Sequence, residues 1–330
     1  MSKLPASMHA VEISAPGGPE VLKPTERPIP APKAHEVLIK VVATGINGPD
    51  IMQRKGLYPA PAGASDLPGL EVSGEVVAKG SSVTRWSVGD QIVALTNGGG
   101  YAEYVAVDAE HCLTVPKGIS MLDAAGLPET FFTVWSNVFI GAGLKAGETF
   151  LVHGGAGGIG TTCIQLGKAF GAKVIATDSP AARCQICTDL GADRVVDYRS
   201  EDFVEVVRSA GGANVILDIV GGANIEKNFK AASHDARIIQ LAFAAGSKVE
   251  INMMPVMLKR LTYTGSTLRT RPDAFKARVA RELEAQVWPH IASGKIRVVT
   301  HKVLPLAEAA QAHAMMESSQ HTGKILLRVS

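Results

Sequence analysis

The run Thr149-Phe150-Leu151-Val152-His153-Gly154-Gly155-Ala156-Gly157-Gly158-Ile159-Gly160 constrains this 330-residue chain more than any other stretch. Five residues suited to a buried strand lead into a glycine-rich turn, and Cys163, Leu166 and Phe170 then recur at helical spacing. Gly155, Gly157 and Gly160 stand at G-x-G-x-x-G positions. One glycine permits the tight turn, one lets backbone approach a pyrophosphate, and one packs helix against strand. Gly155, Ala156, Gly157, Gly158, Ile159 and Gly160 are therefore candidate phosphate-binding residues, with free N–H groups at the helix start as donors. Glycines at this spacing also serve ordinary turns, so the context decides. Lys173-Val174-Ile175-Ala176-Thr177-Asp178 supplies it: a β-branched run ends in an acid about twenty residues past the turn, where a dinucleotide fold contacts the adenine ribose.

Further apolar runs at Arg194-Val195-Val196, Val215 to Val220, Arg237 to Leu241 and Leu261-Thr262-Tyr263-Thr264 alternate with helix-like segments. Together they predict about six parallel strands in an α/β, doubly wound Rossmann sheet. Residues from about 8 to 115 read differently. Met8 to Ile13, Val37 to Val41, Gly74 to Ala78 and Gln91 to Leu95 are short strands separated by Pro and Gly clusters, the pattern of a small β-barrel. Pro24 to Pro32 favours an extended connection. From Pro272 to about Gly294 the spacing of Phe275, Val279, Leu283 and Val287 predicts one long helix with a core face.

Composition removes several functions. A formal net charge of +2 with no Lys/Arg stripe gives nucleic-acid binding no electrostatic support. No stretch approaches the roughly eighteen apolar residues that span a bilayer. No apolar signal segment opens the chain, so a cytoplasmic protein is expected. Four cysteines are too few for a disulfide framework. Cys184 and Cys187 form a C-x-x-C without a companion pair or nearby His, which reads as structural rather than as half a zinc site. His153 reads as a packed histidine, and none of the nine histidines stands at a spacing that demands catalysis.

Gly45-Ile46-Asn47-Gly48-Pro49-Asp50 with Arg54, Gly56 and Tyr58, then Pro68-Gly69-Leu70-Glu71, Gly89-Asp90, Gly99-Gly100-Tyr101-Ala102-Glu103-Tyr104, the glycine turn and Thr322 to Leu327 resemble the medium-chain dehydrogenase/reductase superfamily. The branch most similar is the zinc-free, zeta-crystallin-like quinone oxidoreductases. The resemblance implies a GroES-like barrel (1–129 and 271–330), a Rossmann domain (130–270) inserted between its parts, an interdomain cleft and a homodimer. Zinc members carry Cys and His where this chain has Asn47 and Leu70, because a Lewis acid must polarise an alcohol or carbonyl oxygen. The implied reaction is therefore metal-free transfer of hydride, or of single electrons, to a quinone, with an enone the other acceptor that fits, solvent supplying the proton and the protein mainly positioning its reactants.

On the same resemblance Asn47 and Tyr58 face the substrate and Thr133 lies near the nicotinamide carboxamide. Asn47 could also merely cap a turn. Leu241 and Phe243 are expected beside the nicotinamide, and Arg269 and Lys324 near the cleft, each with a surface role as the alternative. Cofactor choice is divided. Asp178 alone favours NADH, whereas Arg183 and Tyr198 match the branch's Lys and Tyr that hold the 2′-phosphate, and an Arg pairs well with phosphate. NADPH is the expectation, with NADH open because of Asp178. Enoyl-thioester or 2-alkenal reduction is the rival reaction, and an NADPH-binding sensor or structural protein the rival outside enzymes. The dimer is expected through the edge strand Leu261–Thr264, whose open hydrogen bonds can pair with a copy of itself.

Overall fold

A strand buried on both faces needs an unbroken apolar run, and Thr149–His153 is buried at all five positions in the computed structural model, which describes residues 4–330. This strand is central in a six-stranded, all-parallel sheet. From edge to edge the order is Arg194–Asp197, Lys173–Asp178, Thr149–His153, Ala213–Asp218, Ala232–Gln240 and Thr262–Gly265. Strand order reverses at Thr149–His153, the switch point where doubly wound sheets receive their ligands. Leu151, Ile175, Val196, Ile216 and Ile238 pack with Phe203 and Phe229 of flanking helices into one core. His153 is fully buried, with its ring nitrogens 2.9 Å from Thr177 Oγ1 and 2.8 Å from Asn228 Oδ1. Burial holds its pKa below the ordinary histidine value, a structural role.

This sheet belongs to one of two units into which the chain divides, Thr133–Leu268; the other comprises the chain up to Phe132 and Arg269–Ser330. The second unit holds a seven-stranded sheet. Its path runs Thr300–Pro305, Lys324–Arg328, Glu36–Gly45, Glu71–Lys79, Gln91–Leu95 and Cys112–Thr114, and Tyr104–Asp108 pairs back onto Glu36–Gly45. Ser7–Ile13 and Leu22–Pro28 form a separate antiparallel ribbon. Glu36–Gly45 is the hub. Register shifts against Glu71–Lys79 bend it twice, and Leu326 pairs with Gly45. That pairing brings Lys324 beside the loop entered at Ile46, whose N–H donates to Ile325 O at 3.0 Å.

Arg54 fastens the same unit. Its fully buried guanidinium donates from Nε to Gly17 O (3.0 Å) and from Nη2 to Glu317 (2.8 Å), and Nη1 lies 3.3 Å from His313 Nδ1. The far ring nitrogen of His313 is 2.9 Å from Tyr101 Oη. The long helix expected after Pro272 is interrupted: Asp273–Glu282 is followed by a wide π-turn, Leu283–Val287, and by Trp288–Ala292. Pro289 accounts for the break, since it lacks an N–H and its ring crowds the carbonyl one turn back. Val279, Leu283 and Val287 are buried as the spacing predicts.

Candidate functional site

The glycine turn is built by close approach. Gly154 takes a positive φ of 72°, so the tight turn rests on the glycine before the fingerprint. A Cβ on Gly160 would lie 2.2 Å from Gly154 O and 2.6 Å from Gly155 Cα, so the helix seats directly on the turn. A Cβ on Gly155 would meet Cys187 Sγ at 2.7 Å. Gly157 is the permissive one, meeting only Gly154 O at 3.5 Å, which leaves its backbone open to approach. The 12-residue helix Gly158–Ala169 starts here, and its first N–H groups have no intrahelical acceptor. Gly158, Ile159 and Gly160 thus offer an anion-binding helix start that fits a pyrophosphate.

Asp178, at the end of the next strand, is buried and fully engaged. It accepts from Ala156 N–H (2.7 Å), Ser179 N–H (2.8 Å) and Arg183 Nε (2.6 Å), with Arg183 Nη2 at 3.3 Å. Its carboxylate ties the glycine turn to Arg183, the neutralising pair that the sequence left as one option. Tyr198 is exposed, its N–H 3.4 Å from Asp178 O. Asp178, Arg183, Tyr198 and the turn therefore gather at one end of this unit's sheet. Leu241 follows the Ala232–Gln240 strand, its N–H donating to Asp218 O at 2.9 Å, and Phe243 is exposed nearby. Thr133 opens this unit, and its carbonyl accepts from Asn137 Nδ2 at 2.8 Å.

In the other unit the expected residues converge on a buried polar cluster. Asn47 Nδ2 donates to Glu71 Oε1 (2.9 Å), and Lys324 Nζ lies 2.7 Å from Glu71 Oε1, 2.5 Å from Asn47 Oδ1 and 3.1 Å from Ile46 O. Asn47 does precede the Gly48–Arg54 helix, and its N–H meets Asp50 Oδ2 at 2.9 Å, yet its side chain is given to the cluster. Asp50 accepts Gly69 N–H as well (2.9 Å), and burial lifts its pKa to about 7 against those two donors. The surface alternatives for Arg269 and Lys324 do not hold: both are buried. Arg269 reaches Asn97 O and Gln53 Oε1, and stands 5.8 Å from the Tyr58 ring centroid in cation–π geometry. Tyr101 is fully buried, its Oη 2.9 Å from His313 Nε2.

Asp50 and Glu71 lie inside the motifs that carry the resemblance, and Glu129 stands four residues before Thr133; none of the three is assigned a role by the sequence. Their signal was charge in otherwise apolar or glycine-rich loops, which local spacing reads as turn chemistry. The cluster does not suit a divalent metal. Leu70 offers no donor, and the Lys324 ammonium already occupies the oxygens that Asn47 and Glu71 would present. Among the described residues no group of three or more His, Cys, Asp or Glu is placed to hold a metal ion.

Family models described as "Alcohol dehydrogenase GroES-like domain" and "Zinc-binding dehydrogenase" match residues 33–117 and 158–285. Quinone oxidoreductase of Homo sapiens is 31% identical over 97% of both chains, and that of Sus scrofa 32% identical over 97% of both. The crystal structure of Escherichia coli quinone oxidoreductase complexed with NADPH superposes with a TM-score of 0.88, at 30% identity, covering 97% of this chain and 100% of that one. An enoyl reductase, CurK, gives a TM-score of 0.86 at 26% identity, covering 99% of this chain and 100% of that one. The chain is an NAD(P)H oxidoreductase and belongs to the medium-chain dehydrogenase/reductase superfamily, in its quinone oxidoreductase-like branch.

Proposed function

We propose that this protein is an NADPH-dependent quinone oxidoreductase that works without a metal ion. The observation that carries the reading is the Lys324 ammonium lodged between Asn47 and Glu71. A site whose oxygens already hold an internal cation has no place for a Lewis acid, so the acceptor must take hydride unaided. Quinones and enones meet that demand, because the incoming charge is delocalised onto oxygen. The quinone oxidoreductase relatives support the quinone.

The bound reduced nicotinamide supplies the hydride. The chain's own residues would position it: backbone N–H groups of Gly158, Ile159 and Gly160 would hold the pyrophosphate, and Thr133, Leu241 and Phe243 are assigned to the nicotinamide end. Arg183 and Tyr198 are assigned to the 2′-phosphate. The Asp178–Arg183 pair is near neutral as a unit, so the phosphate meets a guanidinium already held in place rather than an isolated acid. Asn47 and Tyr58 are assigned to the acceptor. The NADPH complex of the E. coli protein supports this cofactor.

The test is oxidation of NADPH and NADH across a panel of quinones, enones and enoyl thioesters, before and after treatment with a strong chelator. NADPH-driven quinone reduction that survives chelation is expected; activity abolished by chelation and restored by zinc overturns the reading. Preference for enoyl thioesters would favour the second reading, which the CurK likeness supports. Tight NADPH binding with no acceptor reduced would favour a sensor. We assign the assembly as a homodimer through the Thr262–Gly265 edge strand. No helix among the described residues is long and apolar enough to cross a membrane.

A further inference from the structure

The barrel cluster contains one acid that no donor reaches. Lys324 Nζ donates to Asn47 Oδ1 and Ile46 O and is ion-paired with Glu71 Oε1. Arg269 directs Nε and Nη2 to Asn97 O and Nη1 to Gln53 Oε1. The oxygens of Asp50 take the N–H groups of Gly69 and Asn47, and Glu71 Oε2 takes the N–H of Glu129 (2.8 Å). Glu129 itself, in the first turn of the Pro128–Val134 helix, is 9% exposed, and among the described residues its carboxyl receives no hydrogen bond or ion pair. A buried carboxylate without donors is unfavourable, so the group keeps its proton. Burial is the main cause, with Glu71 and Asp50 adding repulsion and Lys324 and Arg269 opposing it, and the balance lifts the carboxyl to about 8.

Its connection to Asn47 runs through Glu71. Glu71 grips Asn47 Nδ2 with one oxygen and the Glu129 backbone with the other, so the two are held by the same side chain. We propose that Glu129 is the acid that protonates the acceptor, replacing solvent in that role. The proposal rests on the reading of a quinone or enone acceptor. As the acceptor gains the hydride supplied by reduced nicotinamide, the Glu129 O–H bond breaks and an O–H bond forms on the acceptor's carbonyl oxygen. The acceptor is reduced by two electrons, the nicotinamide is oxidised, and the Glu129 carboxylate regains its proton from water.

The test uses the full chain, with Glu129→Gln and Glu129→Asp. Infrared difference spectra of the ligand-free protein at pH 7 are expected to show a protonated carboxyl band that Glu129→Gln removes and that titrates near pH 8 in the wild type. With an enone acceptor, wild-type kcat is expected to fall as pH rises through about 8, because a donor works only while protonated. Glu129→Gln is expected to lower kcat about 10²-fold and to flatten that limb, and Glu129→Asp to restore part of the rate with a displaced limb. A Gln variant with the wild-type rate and pH profile, or with the carboxyl band unchanged, overturns the proposal while leaving the oxidoreductase reading intact. If circular dichroism shows that the Gln variant does not fold, the Asp variant decides: an undisplaced limb overturns the proposal. A wild-type chain that reduces no acceptor overturns both.

Discussion

At the scale of single residues, position in the chain says little about the company a side chain keeps. Asp178 stands where a ribose-reading acid belongs, yet the structure shows it bonded to Ala156 N–H and Arg183. Arg183→Ala is accordingly expected to raise KM for NADPH roughly tenfold or more, the scale of a lost charge-assisted bond, while changing that for NADH about twofold or less. Steady-state kinetics with both dinucleotides checks this, and equal effects reverse the cofactor assignment. His313 offers a test of stability. Burial, then the Arg54 charge, depresses its pKa to about 3. Its unfolded-state value is near 6.5, so between those limits the unfolded chain binds the extra proton and stability falls as pH falls. Going from pH 7 to pH 4.5, this one group is expected to remove roughly 2–3 kcal/mol, read as the difference in urea-unfolding free energy between wild type and His313→Gln at the two pH values.

At the scale of elements, the glycine turn was legible because its chemistry is local. Strand, turn and helix are contiguous, and Gly157 and Gly160 answer to backbone a few residues away, although Gly155 is also closed in by Cys187. Gly160→Ala is expected to destabilise the protein by about 1–3 kcal/mol, since the new methyl is forced onto the turn's backbone, and to weaken NADPH binding in a fluorescence titration. Wild-type affinity and stability would show that the turn can yield. The polar cluster was only half legible. Asn47 and Lys324 could be named through resemblance, but their partnership spans 277 residues, and no period or spacing in a sequence records a contact of that range. Glu129 escaped notice for the same reason: its meaning depends on donors that are committed elsewhere. The π-turn at Leu283–Val287 was hidden by a correct apolar face, because the periodicity of buried positions survives a bulge that proline forces on the backbone.

At the scale of the whole molecule, the number of parallel strands and the presence of a β unit were legible in apolar runs and turn residues, whereas strand order, the barrel path and assembly were not: the segment from Met8 to Ile13, read as a barrel strand, pairs with Leu22–Pro28 in a separate ribbon. The edge strand Thr262–Gly265 is exposed throughout and pairs on one side only. The neighbouring helix Met254–Leu258 presents Met254, Met257 and Leu258, each more than half exposed. An open edge beside a flexible, thioether-rich apolar face is a surface that a second copy would cover. Met257→Glu combined with Leu258→Glu is expected to give a folded monomer in sedimentation velocity at micromolar concentration, where a dimer is expected for the wild type. A wild-type monomer under those conditions removes the assignment.

The position of Lys324 has a consequence for biosynthesis. The ribosome makes Asn47, Asp50, Glu71 and Glu129 well before the ammonium that balances them, and the entire nucleotide-binding unit is translated in between. Until that lysine arrives, Glu71 is buried without the ammonium that pairs with it, which disfavours closing the nascent barrel around it. The polar cluster is therefore completed only after the nucleotide-binding unit has been made, and a polypeptide halted before Lys324 carries a finished glycine turn but no finished cluster.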